Sequence, residues 1–517
     1  MLEPQAAAAA VARPPAPAGD GRVAVIVCHG MGQQVAFETL DCLAETLRRA
    51  AGDPDREVRV EVARLAQLAT RTGTPSVPVD LRRAQIDLSR PGGGVQRTDL
   101  YEAYWAPITE GQVSLRDVFW FLLGAGWRGL VAALLSRRFD RWMFGGWVDF
   151  DVPLLTPVKL LGIIVLLLSL AAINAVLAGV VAARLLGAAT SWPGPDLFRV
   201  LTSDIAIASL GLVAVAAGIR LVPRALGFLG HAIASRLAWG VIYVGFAAIA
   251  WAGLACAWHI ARSQLNWPLS MTWPGAAVFG LSGVWYRLDI GLIWGLPVAA
   301  AAIARRYLIH YVGDVVAYIS AHTASRFADI RKRIQEVSLR VGSTVFHAVG
   351  DDGATPLYTS VVVVGHSLGS VIAYDMLNSL ITQDRLDGHP ARVLERTAQF
   401  LTFGSPLNKT AYIFRTQRGK GSEVRETMAA AIQPLITHYA NRTIPWVNIY
   451  SRNDWIGGRL QYYDTNPPDP SRKVDNREDL EARTPLAAHS EHWENAMLSD
   501  ALRDAILGPA RAAGARG

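Results

Sequence analysis

At 517 residues the chain exceeds the roughly 100 to 200 residues of an ordinary domain, so at least two structural units are expected. Hydrophobic residues make up 51% and charged residues only 18%, an apolar lean that points away from a fully soluble chain. The net charge of +7 comes from arginines spread along the sequence, which excludes a compact basic and aromatic nucleic-acid surface and fits an anionic membrane.

Cys28, Cys42 and Cys256 form neither a paired framework nor a metal-ligand spacing, so no disulfide scaffold, metal or cofactor is expected. Met1 to Asp20 is rich in alanine and proline, lacks the basic start and leucine-rich core of a signal peptide, and reads as a disordered leader. Val23 to Val27 then predicts a short buried strand ending in His29-Gly30, and Val35 to Ala50 predicts a helix. Val58 to Leu65 and Leu100 to Trp105 are further strand candidates, closing a first part of the domain at residues 21–115.

The apolar excess lies in residues 116–306, an all-α insertion with four predicted transmembrane spans. Leu160 to Ala183 and Leu237 to Trp258 carry no charge, and each matches the roughly 20 residues needed to cross a bilayer core. Leu201 to Ile219 holds Asp204 near its start, and Val284 to Ala304 holds Arg287 and Asp289 near one end. Arg137, Arg138, Arg141, Lys159, Arg220, Arg224, Arg236, Arg305 and Arg306 fall on one side, against Arg184, Arg199 and Arg262 on the other. The positive-inside rule makes the first side cytoplasmic, together with both chain ends, in a multi-pass protein of the cell (inner) membrane. Four is an even number, so the chain returns to the side it left.

Residues 307–350 hold a predicted long amphipathic helix, Tyr307 to Phe346, lying either on the bilayer surface or over a sheet. Strands follow at Ser360 to Val364, Gln399 to Phe403 and Trp446 to Tyr450, with helices at Val371 to Leu380 and Glu494 to Leu507. Strands alternating with helices predict a doubly wound, mostly parallel α/β sheet, its second part at residues 351–510.

Four valines, Val361 to Val364, lead into Gly365-His366-Ser367-Leu368-Gly369 and then a helix. This is the strand, G-x-S-x-G and helix setting of a nucleophile elbow, with Gly365 and Gly369 where a β-carbon would crowd the turn. A serine hydroxyl needs a base and its tetrahedral intermediate needs donors. His29-Gly30-Met31-Gly32 ends the first strand, so the backbone amides of Met31 and Leu368 are the expected oxyanion donors, with His29 and Gly30 shaping the turn. After the serine, Asp454 follows a strand end, with Asp464 as fallback; His489 is the expected base, and His492 is the alternative if the helix boundary shifts.

The stretch Gly365 to Asp375, with Phe403-Gly404-Ser405-Pro406-Leu407 and Asn448-Ile449-Tyr450 leading to Asp454, resembles lipases and intracellular phospholipases of the α/β-hydrolase superfamily. Around the elbow it is most similar to the DDHD-type phospholipase A1 group. The resemblance covers about a fifth of the chain and implies an α/β-hydrolase fold with Ser367 as nucleophile and Asp454 as acid. Four spans inserted before the elbow depart from that group, so its substrate preference is not carried over. The expected activity is hydrolysis of a lipid or other acyl ester at the bilayer, with no nucleic-acid partner. An acyltransferase or thioesterase would use the same triad, and an inactive membrane scaffold or transporter is the rival from another class.

Overall fold

The structure is a computed structural model and describes residues 21–508 except 33–34, 54, 69–76, 91–92, 136–137, 186–192, 226–230, 266–289, 308–311, 320–324, 417–422, 438–443, 465–472 and 486. The predicted leader lies outside the described residues.

Eight strands form one mixed sheet: β1 (Arg22–Cys28), β2 (Val58–Leu65), β3 (Val79–Ser89), β4 (Val95–Ala103), β7 (Tyr358–His366), β8 (Thr397–Phe403), β9 (Trp446–Tyr450) and β10 (Asp475–Glu478). Their order is β10-β9-β8-β7-β1-β4-β3-β2. The run from β10 to β4 is parallel, and β3 and β2 add an antiparallel edge. β1 pairs with β4 on one side and with β7 on the other, so strands from before and after residues 116–306 meet across it.

The valine run is explained by two cores. Val361 and Val363 face one cluster while Val362 and Val364 face the other, and Ala24, Ile26 and Cys28 alternate in the same way with Val23, Val25 and Val27. Both faces of a central parallel strand are covered, so it is apolar throughout rather than alternating. The second face is closed by α1 (Glu38–Ala51) and a C-terminal helix, α11 (Ala496–Leu507). α1 starts later than the predicted Val35, because Phe37 takes a left-handed φ of 72° just before it.

The first face is covered by α8 (Ser325–Phe346), through Phe327, Ile330, Ile334, Val341 and Val345, and by α9 (Leu368–Leu386). Of the predicted Tyr307 to Phe346 helix, the described residues include α7 (Gly313–Ile319) and α8, with 308–311 and 320–324 outside the described residues, and α8 lies on the sheet. Asp375 on α9 gathers them by accepting from Tyr318 Oη at 2.7 Å, Arg331 Nη2 at 3.0 Å and Gln335 Nε2 at 3.2 Å.

Between β4 and β7 lie α2 (Leu115–Leu135), α3 (Thr156–Leu185), α4 (Pro195–Arg220), α5 (His231–Gln264) and α6 (Ile290–Tyr307). Among the described residues four helices are long and apolar enough to cross a membrane, at Leu115–Leu135, Thr156–Ala183, Asp196–Arg220 and Ile233–Gln264. The first was not among the predicted spans, since Arg116, Asp117 and Arg128 dilute its apolar pattern. The predicted fourth span, Val284 to Ala304, begins outside the described residues, and α6 carries the rest of it. The insertion is also not all-α: β5 (Arg138–Met143) and β6 (Gly146–Asp151) form an antiparallel hairpin between α2 and α3.

α4 and α5 are antiparallel and touch backbone to backbone. A β-carbon on Gly211 would lie 2.7 Å from the Gly245 carbonyl oxygen, and one on Gly245 would lie 2.6 Å from that of Gly211. Small residues of this kind let apolar helices pack where no water is available to drive them together. Ser169 Oγ on α3 donates to the Ala250 carbonyl on α5 at 2.9 Å. Asp204, predicted to sit at a span end, lies within α4, is buried, and meets His259 Nδ1 on α5 at 2.7 Å.

α2 behaves differently, because both of its ends are tied to the sheet domain. Val118 packs in the first core with Val113, Val316 and Tyr318, while the Gly129 carbonyl near the other end accepts from Tyr412 Oη at 2.7 Å. The hairpin beyond it is tied as well: Phe144 N–H donates to the Ile436 carbonyl at 2.6 Å, and the Phe150 ring stacks on Tyr462 at 4.5 Å.

Candidate active site

The elbow forms where β7 ends and α9 begins. Ser367 sits at φ 53° and ψ −129°, a strained backbone for a residue with a β-carbon. The strain is held by its neighbours. Ser367 N–H donates to the Phe403 carbonyl at 3.1 Å, and the Ser367 carbonyl accepts from Ser370 N–H at 3.0 Å and Ser370 Oγ at 2.6 Å. Gly369 is required because a β-carbon there would collide with the carbonyl oxygens of Cys28 and His29. Gly365 is equally confined, its β-carbon position lying 2.5 Å from Ser370 Cα. Ser367 is buried, and its Oγ makes no hydrogen bond.

The loop after β1 lies against this serine. A β-carbon on Gly30 would stand 2.9 Å from Ser367 Cβ, so Met31 and Leu368, both buried, flank it from two directions. Leu368 opens α9, where backbone N–H groups have no partner within the helix. His29 shapes the turn: its Nδ1 meets the Gly30 carbonyl at 2.8 Å, and its Nε2 accepts from Trp105 N–H at 3.1 Å. These two bonds set the tautomer with the proton on Nδ1. Its ring stacks on Trp105 at 4.4 Å, and burial pushes its pKa down to about 4.

Asp454, His489 and His492 come together from separate segments. His489 Nδ1 bonds Asp454 Oδ2 at 2.9 Å, and its buried Nε2 has no hydrogen-bond partner. The His489 carbonyl meets His366 Nε2, next to Ser367, at 3.2 Å. Gly404 follows the Phe403 carbonyl that holds Ser367, and a β-carbon there would approach the His489 ring to 3.0 Å. His489 therefore stands directly beside the elbow with one nitrogen on the acid and the other open.

His492 is placed otherwise. Its Nδ1 bonds Asp479 Oδ2 at 2.7 Å, and its Nε2 faces Asp454 Oδ2 at 3.8 Å. Burial alone would lower the His492 pKa, but the hydrogen bond with Asp479 and the neighbouring Asp454 carboxylate raise it. Burial would raise Asp454, but the hydrogen bond from His489 and the neighbouring His492 ring hold its carboxyl far below the usual range. Asp464 is away from this group and accepts from Val474 N–H at 2.6 Å.

Several supporting residues were missed in the sequence. Asp479 reaches His492 from just beyond β10. Asp314 on α7 accepts from Gly32 N–H at 2.7 Å and fastens the loop next to Met31. Lys409, on α10 (Leu407–Thr416), donates to the carbonyls of Trp455 and, at 3.1 Å, Ile456. Each contact joins residues far apart in sequence, so only the G-x-S-x-G, strand-end and histidine patterns were visible locally.

The chain matches no family model, no curated protein and no solved structure.

Proposed function

We propose that this chain is a membrane-bound serine hydrolase of the α/β-hydrolase type that cleaves carboxylic esters of lipids. The observation that carries the reading is a buried, strained serine with an unbonded Oγ beside a histidine whose Nδ1 is held by a carboxylate and whose Nε2 is open. With the proton of His489 on Nδ1, Nε2 is the acceptor. Ser367 Oγ attacks the acyl carbonyl as His489 takes its proton, and the imidazolium returns that proton to the leaving alcohol. Water then attacks the acyl-enzyme with His489 again as base, releasing the fatty acid. Asp454, kept ionised, stabilises the imidazolium, and the amides of Met31 and Leu368 receive the oxyanion.

Membrane placement supports the substrate class. In this reading α3, α4, α5 and α6 are four crossings, so the chain leaves and re-enters on the sheet-domain side, which the arginine distribution makes cytoplasmic. α2 does not cross, because Val118 and Gly129, about 16 Å apart at 1.5 Å per residue, are both tied to the sheet domain. It lies along the domain at the headgroup level, with Trp120 and Trp127 each 59% exposed on a face suited to lipid. An acyl ester reaches Ser367 from the bilayer without crossing water.

The test is Ser367→Ala in detergent-dispersed phospholipid: fluorophosphonate labelling and fatty-acid release are both abolished. Hydrolysis persisting in that variant would remove Ser367 from the mechanism.

A further inference from the structure

We infer that the sheet-proximal end of α5 positions the acid of the triad, with Asn453 as the positioning residue through which it acts. The inference rests on the catalytic reading of Ser367, His489 and Asp454. The loop bearing Asp454 is braced internally: Ser451 Oγ donates to the Ala482 carbonyl at 2.7 Å and accepts from Asn453 N–H at 3.0 Å. Ile456 N–H donates to Asp454 Oδ1 at 2.7 Å. Lys409 holds the Trp455 and Ile456 carbonyls from α10, and further support comes from a helix of the apolar bundle.

On α5, Ser235 Oγ donates to Asn453 Oδ1 at 2.5 Å, and Trp239 Nε1 donates to the same oxygen at 3.1 Å. Both lone pairs of that carboxamide oxygen are thereby used. The Trp239 ring also stacks on Trp455 at 5.5 Å and 5°, and Phe246 reaches the same ring at 5.8 Å. Ser235 and Trp239 are one turn apart and Phe246 two turns further, so one stripe of α5 makes every contact. The residues on either side of Asp454 are thus both held, one by hydrogen bonds and the other by stacking. Their joint effect is to fix the carboxylate relative to His489 Nδ1, where a displacement of about 1 Å can cost about a hundredfold in rate.

Full-length protein in nanodiscs is assayed with p-nitrophenyl butyrate, with turnover counted per fluorophosphonate-titrated serine. Asn453→Ala is expected to lower kcat about tenfold and leave KM within about twofold, as loss of a group acting on the chemical step should. The double variant Ser235→Ala with Trp239→Phe keeps a ring against Trp455, removes both donors and alters no sheet-domain residue; it is expected to show the same fall. Adding Asn453→Ala to it should cost less than about twofold more, because the three groups act as one unit. A structural role alone would reduce the number of titratable sites and not kcat per site. Wild-type kcat in the double variant, or full additivity with Asn453→Ala, would overturn the inference. Ser367→Ala that still turns over would instead overturn the catalytic reading, so the two failures are distinguishable.

Discussion

One aspartate–histidine pair lies in the sheet domain beside the elbow, and another lies in the helix bundle. Asp454 and His489 meet at 2.9 Å beside the elbow, while Asp204 and His259 meet at 2.7 Å between α4 and α5. They are alike in distance, although His489 is part-buried and His259 fully buried. They differ in their surroundings: the first adjoins a serine at φ 53° and the start of a helix, and the second is set among Leu201, Ile205 and Cys256. In the proposed mechanism the pair alone does not suffice; the strained Ser367 and the nearby amides are needed as well. In the bundle the same two side chains act as a polar clasp between helices.

The largest expected effect separates the pairs by function. Removing the His489 imidazole by His489→Ala should lower ester hydrolysis by about 10⁴-fold or more, as loss of a triad base does, whereas His259→Ala should leave turnover per titrated serine within about twofold. Equal losses in the two variants, measured with p-nitrophenyl butyrate, would erase the distinction. His492→Ala sharpens it within the site. Both His492 nitrogens face carboxylates, so the variant should lower thermal stability and retain far more activity than His489→Ala.

Another buried histidine, His29, has no carboxylate among its hydrogen-bond partners, and its effect is read in pH. The unfolded imidazole takes up a proton below pH about 6.5, but the folded one resists until about 4. The unfolded state binds more protons in that window, so stability rises with pH across it and is lost as pH falls from 6.5 to 4. The loss amounts to about 3 kcal/mol at one unit per 1.4 kcal/mol. His29→Gln, which keeps a donor and an acceptor for the turn, should flatten the midpoint of thermal unfolding between pH 4 and 6.5. An unchanged slope would assign the acid sensitivity elsewhere.

Much of this was legible in sequence where the causes are local. Val361 to Val364 needed apolar cover on both faces, and the elbow glycines follow from a turn of a few residues. Asp454 could be located because its loop directly follows β9. His489 was set above His492 only by its place in the loop, since the two are one turn apart and the difference in their partners lies in Asp479, which comes from a different strand end. β10 reads Asp475-Asn476-Arg477-Glu478 and β3 carries Arg82 and Arg83; both lie outside the doubly covered centre of the sheet, so neither shows an apolar run. α2 was overlooked because its charges broke the pattern of a span, and its attachment at both ends is a tertiary fact. Asp314, Lys409 and Asn453 acquire their roles only when distant elements meet.

The smallest effect tests the bundle clasp. An aspartate and a histidine placed in an apolar helix pair are costly to leave alone, yet an unfolded or separated helix in lipid also finds polar partners, which reduces the net gain to about 1–2 kcal/mol in measured cases. A double-mutant cycle of Asp204→Asn and His259→Ala isolates that coupling from the desolvation that each single variant releases. Read from unfolding in detergent, a coupling of about 1–2 kcal/mol with unchanged kcat per titrated serine makes the pair a purely structural clasp. If either variant instead lowers kcat, the two pairs are energetically linked along α5, since Trp239 and His259 stand about 30 Å apart on that one helix. The bundle would then transmit as well as anchor.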